Sequence, residues 1–443
     1  MSYIGIFHRD GRAGLTASQA EAAKWFLKGA EAGDAWAMNR YGQYLLDEVG
    51  GLEVDETAAL GWFRKASDLG QAPAMASLGS MHLNGLAGLD ANGAAALEWY
   101  EKAIEAGEVS SYQDIGRLYL NGAEGVDANE VTALSWFRKG AEAGDATSMA
   151  ELGLLIENGK AGFTKSDADA VDWYLKAAEA GNHWAMRRLG DFYEDGRGAL
   201  PSSEPSALYW YQRAAEDGDA TGKAYVGFYF ENGFADLPPS LREAVGWYRD
   251  AASSGNGWSM NRLGELFEQG SKETPKSDAQ ALSWYRDAAE AGYEDAFVKV
   301  ASFLEKGRGA DADLDQAFEW YEKAAEAGAV QSMSRLGWFY ETGAGSQRQS
   351  DFTALQWYRK SAELHDADAM AGMGRFFEQG RGGLEQNDRL AVYWYKKAAA
   401  EGNTEAMRGL ARMYGEGRGG LAVNIIEVAR WNFRAGVAEG SAE

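Results

Sequence analysis

The chain has 443 residues, a formal net charge of −24 and no cysteine. That length exceeds the roughly 250–300 residues one hydrophobic core sustains, so the chain is several domains or a repeat array. So acidic a chain lacks the basic stripe that nucleic acid or an anionic membrane surface requires, and disulfides, thiolate catalysis and Cys-ligated zinc are excluded.

Along the chain, twelve tryptophans form a comb: Trp25, Trp62, Trp99, Trp136, Trp173, Trp210, Trp247, Trp284, Trp320, Trp357, Trp394 and Trp431. Successive steps are 37 residues except the last before Trp320, which is 36 and has lost one residue from an inter-helix loop. Around each Trp, as at Ala133, Leu134, Gly140 and Ala141, small or apolar residues stand three and two before and four and five after it. That is helical periodicity, and each Trp is expected to fill the space between hairpins. A glycine eight residues after most of these tryptophans (Gly33 to Gly292, Gly328, Gly402, with His365 the exception) reads as the left-handed residue that ends this helix, here termed B.

A second helix, A, precedes each B helix and carries a glycine slot: Gly42, Gly79, Gly116, Gly153, Gly190, Gly227, Gly264, Gly337 and Gly374, with Ala301 and Ala411 in the same place. Positions −4, −1, 0 and +3 about that slot form one apolar stripe, and the tiny residue at 0 lets the partner helix approach closely. A helix of about 13 residues spans about 20 Å and cannot bury its face alone, whereas stacked hairpins cover one another.

The runs 189–198 and 207–218, Leu189-Gly190 through Gly198 and Ala207 through Gly218, resemble the Sel1-like repeat, a relative of the tetratricopeptide repeat. The resemblance covers essentially the whole chain. It implies an all-α fold, an α/α superhelical solenoid of helix-turn-helix repeats, and a non-enzymatic scaffold or adaptor that binds a protein or peptide. The paired cysteines of many family members are missing. The expected organisation is a truncated first repeat at 1–34, eleven repeats at 35–440 forming one continuous solenoid, and a tail at 441–443. Gly5 stands 20 residues before Trp25, as Gly42 stands 20 before Trp62, so the chain starts inside an A helix and is expected to be a piece of a longer protein or to pack its end on something else. No basic and apolar leader opens it and no run approaches the ~18 apolar residues of a membrane-spanning helix. Neither compartment nor oligomeric state is set by the sequence.

Carried over from the tetratricopeptide fold, helix A lines a concave groove with positions −6, −3, +1 and +4. Position −6 holds Trp36, Trp184 and Trp258 where other units have Pro73, Ser110, Thr147 or Asp295. Position +1 holds Leu154, Phe228 and Trp338, and position −3 holds Asn39, Gln113, Arg187, Asn261 and Arg408. Trp184, Arg187, Phe228, Trp258 and Asn261 fall in three adjacent units and are the expected ligand-binding patch, with Trp338 farther along; aromatics and arginines are what interface hot spots use. A second reading has the same tryptophans cover neighbouring turns. Position +4 is Glu in seven successive units, Glu157 to Glu378, among them Glu194, Glu231 and Glu268. That ladder favours a basic peptide or, alternatively, supports the hairpins with the loop arginines Arg12, Arg197, Arg308, Arg381 and Arg418 as counterparts.

Catalytic signals are thin. Of four histidines, His8 and His82 take the core +3 slot, His365 replaces a helix-ending glycine, and His183 flanks Trp184; no nucleophile elbow, H-E-x-x-H or P-loop occurs. Asp311, Asp313 and Asp315 open like a calcium loop, but its sixth position is Gln316 and not glycine, so helix capping is expected and no metal or cofactor is called for. The alternative function is a carbohydrate-binding scaffold using exposed Trp faces.

Overall fold

The computed structural model describes residues 1–440; the expected 441–443 tail lies outside them. Among the described residues there are 24 α-helices and no sheet, only one isolated bridge between Ala123 and Val126. The helices, α1 (Ser2–Asp10) to α24 (Ile425–Gly440), alternate A and B: odd-numbered helices are A, even-numbered helices B. The fold is an all-α solenoid of helical hairpins. No helix is long and apolar enough to cross a membrane.

Each B helix starts where a short polar side chain can take up an orphan amide. Ser18, Asp55, Asn92, Asn129, Ser166, Ser203, Ser240, Ser277, Asp313, Ser350 and Asn387 all accept from the backbone N–H three residues on. Asp313, from the calcium-like run, is thus a cap, and Asp315 accepts from the Ser346 backbone N–H at 2.6 Å. Most A helices end on glycine where φ turns positive, as at Gly196 (φ 64), whose N–H reaches the Phe192 carbonyl; α3 and α17 end on Asp47 and Lys306 instead. His365 adopts φ 65 in its glycine slot.

The buried residues of a B helix correct one expectation. In α12 (Glu204–Glu216) they are Ala207, Leu208, Tyr211, Ala214 and Ala215, while Trp210 is only half-buried. The residue after each Trp but the last is the core residue: Phe26, Phe63, Tyr100, Phe137, Tyr174, Tyr211, Tyr248, Tyr285, Tyr321, Tyr358 and Tyr395 are at most 5% exposed, whereas Asn432 after Trp431 is exposed. The tryptophans flank that core, and in most units a lysine three residues on lies over the ring, at 4.0 Å for Lys139 over Trp136 and 4.3 Å for Lys176 over Trp173, while Trp247 and Trp284 have Asp250 and Asp287 at that place. The reason is angular. Positions −3, −2, +4 and +5 bracket a direction about 100° round the helix from Trp, and +1 points along it.

The glycine slot of helix A takes that ring. A Cβ added at Gly190 in α11 (His183–Asp195) would collide with Tyr211 Cε1, and one at Gly42 in α3 (Ala35–Leu46) would meet Phe63 Cε1 at 2.7 Å. Gly190→Val should therefore overpack the hairpin by about 1–3 kcal/mol, read from the midpoint of urea unfolding. An unchanged midpoint would show that the ring does not need the slot.

Contacts divide the chain into two compact units. One is Met1–Tyr229 with Gly233–Pro238; the other is Phe230–Asn232 with Pro239–Glu443. The division falls inside α13 (Ala220–Asn232). In each unit, A–B hairpins follow one another as the repeat dictates.

Candidate functional site

The +4 glutamates lie at the junction of successive hairpins. Each accepts from the tyrosine that follows Trp in its own hairpin: Tyr174 to Glu157 at 2.6 Å, Tyr211 to Glu194 at 2.8 Å, Tyr248 to Glu231 at 2.6 Å, Tyr285 to Glu268 at 2.7 Å and Tyr358 to Glu341 at 2.8 Å. A group from the next A helix also reaches it: Arg188 to Glu157, Tyr229 to Glu194 at 2.7 Å, Arg262 to Glu231, Lys299 to Glu268 at 3.2 Å and Arg375 to Glu341 at 2.6 Å. Loop arginines close four of these nodes, each bridging the glutamate and the first residue of the same B helix. Arg197 joins Glu157 to Asp167, Arg308 joins Glu268 to Asp278, Arg381 joins Glu341 to Asp351, and Arg418 joins Glu378 to Asp388. Arg12 pairs with Asp10 instead.

Burial opposes the charge on Glu157, Glu231, Glu268, Glu341 and Glu378. The tyrosine hydroxyls and cations outweigh it, and all five carboxyls titrate below the ordinary glutamate range. The oxygens of Glu194, Glu231 and Glu268 are thus taken up inside the stack, and the ladder is not a row of free charges for a basic ligand.

The tryptophans at −6 also have inward partners. Trp184 meets the Tyr174 ring edge-to-face at 5.6 Å, Trp258 meets Tyr248 at 5.5 Å and Trp36 meets Phe26 at 5.6 Å. All three are half-buried covers over the core ring of the preceding B helix. Position −3 is less open than the tetratricopeptide analogy implies. Asn261 is 7% exposed and donates to Glu265 at 3.2 Å, and Arg187 has Nε 3.7 Å from Asp219, the N-cap of α13. Phe228 is half-buried against Phe234 at 5.6 Å, and Arg335 lies 3.9 Å over the ring of Trp338. In the first unit Trp184, Arg187 and Phe228 stand on α11 and α13; Trp258, Asn261 and Trp338 belong to the second.

Three clefts open among A-helix residues. In the first unit, one of about 270 Å³ lies between α7 (Ser111–Asn121), α9 (Ala146–Asn158) and α11, lined by Thr147, Ala150, Leu154 and Trp184 with Arg117 and Glu151 beside them. A second, of about 490 Å³, lies between α5 (Ala72–Asn84), α6 (Gly93–Glu105) and α7 around Ser80, Leu83, Tyr100 and Asp114. In the second unit, Arg335, Trp338, Asp368, Arg375 and Glu405 line one of about 440 Å³. Among the described residues no group of three or more His, Asp or Glu side chains is placed to hold a metal ion. His183 stands 3.8 Å from Asp219, the N-cap of α13.

Asp114, Arg117 and Tyr100 did not stand out in the sequence. Position −2 of helix A is a cation at Arg40, Arg188, Arg262, Lys299 and Arg335 but an acid at Asp114 and Glu151, and of these two Glu151 is paired with Arg117.

The Sel1 repeat family matches twelve successive segments, from 1–34, 37–71, 72–108, 109–145, 146–182 and 185–219 through 221–256, 259–293, 298–328, 330–366, 367–403 and 404–441. The chain belongs to the Sel1-repeat family. Its members are commonly protein-interaction scaffolds and generally non-catalytic. A protective antigen present in uropathogenic Escherichia coli strains, displaying the same Sel1-like repeat fold, is 28% identical with a TM-score of 0.59, over 95% of this chain and 90% of that one. A Sel1 repeat protein from Oxalobacter formigenes is 26% identical with a TM-score of 0.47, over 70% and 89%. Comparison with curated proteins gives no match.

Proposed function

We propose that this Sel1-repeat protein is a non-catalytic scaffold that binds protein partners as extended peptide segments on its A-helix face. The observation that carries the reading is the cleft between α7, α9 and α11. It is mostly apolar, it is large enough for one side chain, and Trp184 forms one wall with Leu154 and Ala150 opposite polar rim groups Arg117 and Glu151. An apolar pocket with a few placed polar groups is the usual form of a recognition site. The Trp338 cleft of the second unit repeats the theme with a more polar rim.

A glycan platform is less favoured. Sugar stacking needs an open ring face, whereas Trp184 and Trp258 are committed edge-to-face to Tyr174 and Tyr248 and half-buried.

Display of a peptide library against the folded chain, with a glycan array in parallel, tests the reading. Peptides should be retained, and Trp184→Ala or Trp338→Ala should weaken the peptides of its own cleft about thirtyfold, equivalent to roughly 2 kcal/mol per aromatic anchor. Retention of glycans without peptides, or peptides indifferent to both substitutions in folded variants, would overturn it.

A further inference from the structure

Between α5 and α7 the node that joins the later hairpins is inverted, as it is again between α7 and α9, where the +4 residue is Leu120 and the −2 residue Glu151. In the later hairpins the +4 residue of one A helix is a glutamate and a group from the next A helix reaches it, a cation such as Arg188 at Glu157 and Arg262 at Glu231, with Tyr229 at Glu194 the exception. Here the +4 residue is Leu83, and the −2 residue of the next helix is Asp114. Tyr100, lacking the glutamate, turns its hydroxyl to Ser80 Oγ at 3.1 Å. The arginine that α7 does carry, Arg117, is drawn the other way, to Glu151 of α9 at 2.7 Å.

Asp114 therefore faces a cleft of about 490 Å³ with no cation within ion-pair distance among the described residues. It accepts a hydrogen bond from Gln113 Nε2 at 3.3 Å. The cleft is lined by groups able to accept hydrogen bonds, Ser80, Asn84, Tyr100 and Asn121, and also by Arg117, whose guanidinium is paired with Glu151. Burial pushes the Asp114 carboxyl up to about 6; Arg117 pulls the other way, and Asp145 and Glu108 add to the rise. A half-buried acid left without its cation is a cost that the fold offsets at every complete node and leaves open here.

We propose that this cleft is the receiving site for an arginine side chain of a bound peptide, whose guanidinium takes the place that the node arginine fills between later hairpins. Arginine fits better than lysine. Its planar fork carries five donors, which match one carboxylate and several neutral acceptors, and the node residues it replaces are mostly arginines. The site rests on the scaffold reading for its peptide source, and it supplies the charge preference that the occupied glutamate ladder does not.

The test uses the full chain and two probes, N-acetyl-arginine methylamide and its citrulline counterpart, which keeps the shape and loses the charge. Titrated at pH 7.5 and followed by amide NMR shifts, the arginine probe should move resonances of residues 80–84 and 114–121, and the citrulline probe should bind at least tenfold more weakly. Asp114→Asn should weaken the arginine probe at least tenfold while leaving the melting temperature equal or higher, because it removes a desolvated charge. Leu83→Glu with Asp114→Arg rebuilds the internal node and should abolish binding. Affinity should also fall below pH 6, as Asp114 protonates; Glu108, Asp145 and Glu151 are the other acids of the neighbourhood, with Tyr100 and Arg117, and Asp114→Asn should flatten that fall. Equal binding of citrulline, or undiminished arginine binding by Asp114→Asn, overturns the proposal. If that happens while displayed peptides still bind the A-helix face, only this site is wrong. If the arginine probe binds at Asp114 and no peptide is retained anywhere, the site stands and the scaffold reading falls.

Discussion

Tyr358→Ala should destabilise the second unit by about 3–5 kcal/mol, whereas Trp357→Ala, one residue earlier, should cost about 1–2 kcal/mol. Tyr358 is 3% exposed, its ring lies over the Gly337 slot and edge-on to Phe376 at 5.7 Å, and its hydroxyl holds Glu341. Removing it opens a cavity at the seam of two hairpins and leaves the buried Glu341 carboxylate short of one donor. Trp357 is half-buried and carries Lys360 at 5.2 Å from its ring centre, so part of its surface already faces water. In a stack where each repeat leans only on its neighbours, the tyrosine lesion should split urea unfolding into two steps. Circular dichroism and Trp fluorescence followed together would resolve them. Equal costs for the two substitutions would mean that the ring after Trp is not the keystone described above.

Glu341→Ala should be comparably damaging, about 3–5 kcal/mol, because it strands charges and does not merely delete a contact. Glu341 is 8% exposed and takes Tyr358, Arg375 and Arg381 at once; Arg381 is also tied to Asp351, but Arg375 keeps only the exposed Glu405. The same node sets a pH dependence. Glu231, Glu268, Glu341 and Glu378 all titrate below the ordinary glutamate range, so their contribution is complete above a pH of roughly 4.5 and is lost as pH falls through the lower folded values. Acid should therefore weaken the second unit progressively below that point, and Glu341→Gln should flatten the curve. Asp114 in the first unit has the opposite sign: its carboxyl is raised to about 6, so the penalty of its charge is absent in acid and grows as pH rises toward 6.

Much of the fold was legible because it is local. The Trp comb, the capping Ser, Asp and Asn seven residues before each Trp, and the glycines that close each helix are short-range facts of backbone geometry, and they place the helices. Even the core residue was implicit, since the small residues around Trp210 point to Tyr211 and not to Trp210. The pairing of Glu at +4 with Tyr after Trp was also readable, seventeen residues apart at Glu157 and Tyr174 and again at Glu378 and Tyr395, while Leu46 and Leu120 go with Phe63 and Phe137. The rest depended on how one hairpin is rotated on the next. That rotation arises from packing of whole apolar faces, and it decides which polar positions look at a neighbour and which at water. It buried Asn261, turned Trp184 and Trp258 onto Tyr174 and Tyr248, and closed arginines thirty to forty residues away onto the glutamate ladder. It also left Asp114 facing a cleft while the nearby Arg117 is paired with Glu151, because only the assembled stack determines which of two acids an arginine between them can reach.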